Sequence, residues 1–323
     1  MEINERNIKV WSTIGPRATL GMAALEFAKK IENLMVLTCD VSTSAGLDRY
    51  RKTFPDKYLD LGIAEQNMIG VAAGLSSEGY NVITTTFAPF QTMRCCEQIK
   101  VNIGYMKKKI CMVGIASGLV LGNLGFTHCC IEDIGALRSI PGMTIISPSD
   151  SLETVKALDA ALKYNGPTYL RLTGSSNNPI VNEKDYTFEI GKSITIKDGK
   201  EITIFSSGAM VYESLKASKI LEENKISTKV VNMHTIKPID KVAIDNSLNS
   251  KLIVSVEEHN IIGGLGSAIS EYKSTIKNSP KLLSLGVKDI YGKCGNYKYM
   301  LNRHRLSADK IVEDILLDLK NVK

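Results

Sequence analysis

Short apolar runs alternate with helix-length segments along most of this chain, and few folds accept that rhythm. Leu34–Thr38, Asn81–Thr86, Ile110–Ile115, Met143–Ser147 and Thr168–Leu172 read as strands. Helix-like stretches lie between them, at about Arg17–Glu32, from Glu65 through Leu75, at about Thr92–Ile103 and at Ser151–Lys163. Strands separated by whole helices predict crossover connections and so a parallel sheet with helices on its faces. From Gly174 to Asp185 the chain turns polar, through Ser175-Ser176-Asn177-Asn178-Pro179, as a linker would. A second series follows: strands Glu201–Ser206, Ser227–Asn232 and Lys251–Val256, with helices Met210–Glu223 and Asp240–Leu248 and one opening after Gly263-Gly264. The expected class is α/β, with two parallel-sheet domains at residues 1–174 and 189–323 and a linker over 175–188.

In such sheets ligands sit at the carboxyl ends of the strands. The polar run Cys39-Asp40-Val41-Ser42-Thr43-Ser44 follows the first strand directly. Two further stretches carry candidate chemistry. Gly62-Ile63-Ala64-Glu65-Gln66-Asn67-Met68 puts one carboxylate at the mouth of an Ala/Gly-rich helix, and Thr85-Thr86-Phe87-Ala88-Pro89-Phe90 ends a strand in two aromatic rings. A carboxylate withdrawn from water beside aromatic rings can share a proton with a ligand nitrogen. The other use of such a glutamate is structural, paired with an arginine or lysine.

Other classes find little support. The net charge of +6 is small for 323 residues, and the longest basic run, Lys107-Lys108-Lys109, directly precedes a strand; a solvated loop fits it better than a nucleic-acid surface. No apolar run approaches the roughly 18 residues of a membrane span, and the first residues have no signal-peptide character. The seven cysteines include the adjacent pairs Cys95-Cys96 and Cys129-Cys130 but no C-x-x-C, which suggests reduced thiols in a cytoplasmic protein and no metal site in this chain. Gly263-Gly264-Leu265-Gly266 looks superficially like a dinucleotide fingerprint, but Ile269 stands where a third glycine belongs; a tight strand-to-helix turn is the expectation.

The order of these features resembles one family. Glu65 in its helix, the Phe87/Phe90 strand end, the Gly-rich run Gly118–His128, then Ile140-Pro141-Gly142-Met143 and Pro148-Ser149-Asp150 resemble the pyrimidine-binding domain of transketolases and 1-deoxyxylulose-5-phosphate synthases. Glu257-Glu258-His259-Asn260 before Gly263-Gly264, and Tyr291-Gly292-Lys293-Cys294-Gly295 as closing strand and loop, are similar to their C-terminal domain. The Gly-Asp-Gly motif that the family uses for the diphosphate and its Mg²⁺ does not occur here. The resemblance therefore implies the C-terminal half of a split transketolase. Thiamine diphosphate would bind between this chain and a separate N-terminal subunit that holds most of the Mg²⁺ site, in a heterotetramer in which this chain also meets its own copy.

The resemblance also assigns roles. Glu65 would hydrogen-bond the pyrimidine N1′ and favour the imino tautomer that takes the thiazolium proton; Phe87 and Phe90 would pack around the ring, Phe90 by stacking. His128 would face the substrate, Asp40 would lie near the cofactor, and Arg17 and Ser44 would meet a sugar phosphate. Departures gather on the substrate side. Asn123-Leu124 stands where an acidic residue usually precedes the Thr-His, Ala116 stands near a missing histidine, Met93 replaces a third aromatic, and Gly174 replaces an arginine, with Arg171 three residues earlier. The implied activity is transfer of a two-carbon ketol unit to an aldose-type acceptor of unusual structure, for which Leu124 and Phe126 suggest a deoxygenated or differently substituted sugar. The β subunit of a 2-oxo-acid dehydrogenase and a non-catalytic partner subunit are the alternatives.

Overall fold

The computed structural model describes residues 1–321. Among them run twelve strands: β1 (Leu34–Thr38), β2 (Tyr58–Asp60), β3 (Asn81–Phe87), β4 (Ile110–Ile115), β5 (Thr144–Ile146), β6 (Thr168–Arg171), β7 (Ile194–Lys197), β8 (Ile202–Ser206), β9 (Thr228–Asn232), β10 (Thr235–Lys237), β11 (Leu252–Asn260) and β12 (Leu282–Val287). They build a seven-stranded sheet in the order β10-β5-β6-β4-β3-β1-β2 and a five-stranded sheet in the order β12-β11-β8-β9-β7. Each sheet is parallel except at one edge, where β10 and β7 run antiparallel to β5 and β9. The class is α/β, as the alternation predicts, with these two edges as the departure from purely parallel sheets. No helix among the described residues is long and apolar enough to cross a membrane.

The larger sheet is buried on both faces, which is why its strands read as continuous apolar runs. Helices Glu5–Ala28 and Ser151–Lys163 cover Val36, Ile83, Val113 and Leu170 on one face. Helix Glu65–Ser77 and the segment Ile99–Tyr105 cover Leu37, Val82, Met112 and Tyr169 on the other. Burying one such side chain is worth roughly 1.5–3 kcal/mol.

Three local departures position the site. The helix expected from Arg17 begins earlier, at Glu5, and is kinked where Gly15 takes φ 80° just before Pro16. A Cβ at Gly15 would lie 2.6 Å from the Ser175 carbonyl, so the kink and the linker fit only around glycine. The helix expected over Thr92–Ile103 is instead a chain of short turns, Ala88–Gln91, Met93–Cys95 and Cys96–Gln98, followed by a π-helical stretch, Ile99–Tyr105. The interruption falls at Thr92, whose hydroxyl and backbone N–H both donate to the Ala88 carbonyl (2.7 and 3.0 Å), closing the short Ala88–Gln91 turn. The closing strand is β12, ahead of Tyr291–Gly295, which is irregular.

The two halves also exchange parts. β10 extends the first sheet, although its residues fall in the second stretch. In return the loop after β4 places Leu119, Cys129 and Ile131 in the core of the second sheet, beside Ile204, Val254 and Met300.

Candidate functional site

The carboxyl ends of β1, β3 and β4 meet over the start of helix Glu65–Ser77. Asp60 organises the approach. Its Oδ1 accepts from the backbone N–H groups of Asp40 (2.9 Å) and Gly62 (3.0 Å), and its Oδ2 accepts from the Thr38 and Tyr58 hydroxyls. Partial burial alone would raise the Asp60 pKa, but these hydrogen bonds outweigh it and hold the carboxyl below its ordinary value. Asp40, with φ 56°, is thereby tied to the turn that delivers Glu65.

Glu65 is buried, with 4% of its side chain exposed, and its Oε1 accepts from Arg94 Nη1 at 2.8 Å. The Arg94 guanidinium carbon lies 3.9 Å from the centroid of the Phe90 ring. Phe90 and Phe87 meet edge to face at 6.3 Å, and the His128 ring meets Phe90 at 5.4 Å and Phe87 at 6.1 Å. The Thr127 hydroxyl engages His128 Nδ1 at 3.0 Å. Glu65, Phe87, Phe90 and His128 thus form one patch. A cleft of about 370 Å³ opens beside it, lined by Ile63, Ala64, Glu65, Gln66, Asn67 and Arg94. Burial pushes the nearby Cys39 thiol up to about 11 and Cys95 to about 12, so neither is a thiolate at neutral pH.

Arg17 and Ser44 form a second group. The Gly46 backbone packs against that of Arg17 and Ala18, so closely that a Cβ would lie 2.8 Å from Ala18 Cα. This presses the loop bearing Ser44 onto the helix bearing Arg17. Burial lowers the pKa of the half-buried Arg17 guanidinium. Among the described residues no hydrogen bond joins Arg17, Ser44 or Asp40 to Glu65 or His128.

The geometry bears on three further residues or turns that the sequence singled out. Arg171 is no phosphate clamp: its Nε donates to both Asp133 oxygens (3.0 and 2.9 Å), and its Nη2 donates to the Glu258 and Cys130 carbonyls (2.7 and 3.2 Å). Phe126 does not line the patch, because its ring packs at 5.1 Å from Tyr291 and 6.2 Å from His304 in the second half. The Gly263-Gly264 turn offers no anion seat. The Glu257 carboxylate already accepts from the Leu265 and Gly266 N–H groups (2.6 and 2.9 Å) at that helix start, the place a dinucleotide phosphate would need. Sequence reasoning missed Arg94 and Asp60. The chain is broken at Thr92 between Phe90 and Arg94, so no helical spacing in the sequence marked that contact.

Around Arg171 lies a sealed inter-domain network. Glu258 Oε1 accepts from the Leu119 N–H (2.5 Å) and its Oε2 from the Tyr297 hydroxyl (2.7 Å); the Tyr169 hydroxyl donates to Asp133 (2.7 Å). Burial pushes Glu257 and Glu258 each up to about 7 and depresses His259 to about 4. The His259 tautomer follows from its partners: Nε2 accepts from the Gly135 N–H, leaving Nδ1 to donate to the Asn260 carbonyl. Among the described residues no three His, Cys, Asp or Glu side chains converge as metal ligands.

The sequence matches the family model for "Transketolase, pyrimidine binding domain" over residues 12–178 and that for "Transketolase, C-terminal domain" over 191–311. It is 38% identical to a "Putative transketolase C-terminal section" of Methanocaldococcus jannaschii, over 95% of this chain and 96% of that protein. It is 36% identical to the "6-deoxy-6-sulfo-D-fructose transketolase subunit SqwH" of a Clostridium species, over 89% of both. A solved structure described as "Split gene transketolase, inactive beta4 tetramer" superposes with a TM-score of 0.86 at 33% identity, over 95% of this chain and 98% of that one.

Proposed function

The chain belongs to the transketolase family, carrying its pyrimidine-binding and C-terminal domains, and on that premise we propose that it is the pyrimidine-side subunit of a two-chain, thiamine diphosphate-dependent transketolase. The convergence of Glu65, Phe90 and His128 in one patch beside the cleft carries this reading. The residues fit the cofactor: one carboxylate accepts an N–H and one aromatic face carries a flat nitrogenous group, and an aminopyrimidine ring calls for both. When bound, thiamine diphosphate supplies an electron sink for breaking and remaking the C–C bond beside a ketose carbonyl.

The roles of this chain's side chains follow. Glu65 holds a proton in its hydrogen bond to the ring nitrogen. Phe90 and Phe87 orient the ring and exclude water, adding about 0.5–1.5 kcal/mol per ring pair beyond area burial. His128, its Nδ1 engaged by Thr127, presents Nε2 to the reacting carbonyl and hydroxyl, where an imidazole nitrogen can give or take a proton. Arg17 and Ser44 receive the distal end of the sugar, and Asp40 with Asp60 fixes the loop above the ring.

A separate subunit of comparable size supplies the diphosphate and Mg²⁺ contacts, and two such pairs assemble through this chain's contact with its own copy, in the cytoplasm. Its folding units are residues 1–174 and 189–323, with 175–188 between them. The relative named for a sulfofructose substrate and the altered substrate-side residues support an acceptor or donor outside the ordinary pentose phosphates. The test is titration of thiamine diphosphate with Mg²⁺ into this chain alone and after co-expression with a Gly-Asp-Gly-bearing partner, followed by ketol transfer assays. Binding and turnover by the pair alone is expected. Failure of the pair to bind the cofactor would sink the reading, and full activity on xylulose 5-phosphate would sink its unusual-substrate part.

A further inference from the structure

Arg94 already performs, from within the chain, both contacts that the proposed function assigns to the cofactor's ring. Its Nη1 donates to Glu65 Oε1 at 2.8 Å. Its guanidinium carbon lies 3.9 Å from the centre of the Phe90 ring, the aromatic face meant for stacking. A flat nitrogen-bearing plane that stacks on an aromatic face and gives one N–H to a carboxylate is also what a protonated aminopyrimidine presents. One side chain and one ring cannot hold the same carboxylate oxygen and the same face together.

The surroundings separate what is fixed from what can move. The Arg94 backbone is held, because its carbonyl accepts from Gln66 Nε2 at 3.0 Å and the Met93–Cys95 turn closes with Cys95 N–H on the Thr92 carbonyl at 3.1 Å. The arm is not held: 40% of the Arg94 side chain is exposed, against 4% of Glu65. It borders the open cleft that runs past Ile63 and Asn67. A change of side-chain rotamer therefore empties the seat without moving the turn, and the departing cation enters water rather than an apolar wall. A contact whose cationic arm reaches water is weak enough to exchange with a ligand.

We propose that Arg94 is a built-in occupant of the pyrimidine seat, a latch that competes with the aminopyrimidine ring for Glu65 and Phe90 and must swing into the cleft before the cofactor binds. The inference rests on the thiamine reading. It explains how a half-site exposed before assembly keeps a buried carboxylate paired. Apparent affinity falls by the fraction of molecules whose seat is open, so removing the arm raises affinity even though it deletes a side chain from the site.

The test is calorimetry on the full chain with 4-amino-5-hydroxymethyl-2-methylpyrimidine, and separately with thiamine diphosphate and Mg²⁺. Wild type is compared with Arg94→Ala, Arg94→Gln and Glu65→Gln, each checked for folding by circular dichroism. Arg94→Ala and Arg94→Gln are expected to bind the pyrimidine about tenfold more tightly than wild type, the gain that such weak contacts allow, and Glu65→Gln more weakly. Ethylguanidinium added to Arg94→Ala is expected to compete with the pyrimidine and return its affinity toward the wild-type value, while leaving wild type unchanged. Binding by the Arg94 variants that is equal to or weaker than wild type overturns the latch and leaves the thiamine reading standing, with Arg94 a support for the ring. No pyrimidine binding by any folded variant, and no cofactor binding by any of them with the partner present, overturns both.

Discussion

Two arginine–carboxylate pairs with nearly equal separations, 2.8 Å for Arg94–Glu65 and 2.9 Å for Arg171–Asp133, differ in everything around them. Arg171 and Asp133 are 2% and 0% exposed, and they are surrounded by Tyr169, Glu258 and His259 and by two backbone carbonyls. Attraction to Asp133 outweighs the opposing effect of burial and raises the Arg171 pKa above its ordinary value. The Glu65 pair instead has one buried partner and one arm in water. A sealed pair has its bonds committed to the protein and serves to fix one half of the molecule on the other. An open pair has one partner that a ligand can replace. Enclosure, rather than distance, separates the two pairs.

The largest test of that contrast is removal of each carboxylate. Asp133→Ala leaves Arg171 buried and unpaired, and urea unfolding should show a loss of about 3–5 kcal/mol; Glu65→Gln should cost under about 1 kcal/mol, because the arginine it leaves behind is 40% exposed and can turn to water. Equal costs would end the distinction. In turnover the ranking reverses: Glu65→Gln in the assembled enzyme should lower kcat by about 10²–10⁴-fold, the span of a lost proton-transfer group, read from steady-state ketol transfer.

A smaller effect lies in pH. Glu258 has its folded pKa raised to about 7 from an ordinary 4.5. The fold therefore binds its proton more tightly than the unfolded chain, and this stabilisation is complete below about 4.5 and lost as pH rises through about 7. His259, depressed to about 4, acts in the opposite sense, and Glu257, raised to about 7, in the same sense, so the informative quantity is a difference. Between about pH 5.5 and about pH 7.5, Glu258→Gln should lose about 1–2 kcal/mol less stability than wild type in matched denaturation curves. An identical pH slope in the two proteins would remove Glu258 from the account. The smallest effect belongs to Phe126→Ala, which frees the loop before His128 from Tyr291 and His304. Its melting temperature should fall by a few degrees, for about 1 kcal/mol, with pyrimidine binding unchanged. A change in sugar preference there would instead return Phe126 to the substrate side.

Much of the fold was legible because its strands are buried on both faces and so announce themselves as unbroken apolar runs; β1, β3, β4 and β6 fall within a residue of their expected limits. The three-residue strands β2 and β10 were not legible. Tyr58-Leu59-Asp60 and Thr235-Ile236-Lys237 carry no apolar run, and their pairing is decided by neighbours distant in sequence. The broken segment after Phe90 was misread because turn-forming hydrogen bonds such as that from Thr92 to Ala88 leave the helical pattern of apolar residues intact. Within the site, Glu65, Phe87, Phe90 and His128 could be named from motif order. Arg94 could not, because an arginine in a helix-like stretch looks the same whether it points to water or folds back over a ring.

The sequence by itself determined the alternation of strands and helices, the presence of two α/β halves, and which few side chains could carry chemistry, since all of these follow from local pattern and residue type. Only the tertiary structure decided which arginine is available and which is spent, that Phe126 faces the second half, and that Glu257 already fills the turn after Gly263-Gly264. Those outcomes depend on enclosure, and enclosure is set by segments far apart in the chain packing against one another, which no local pattern records.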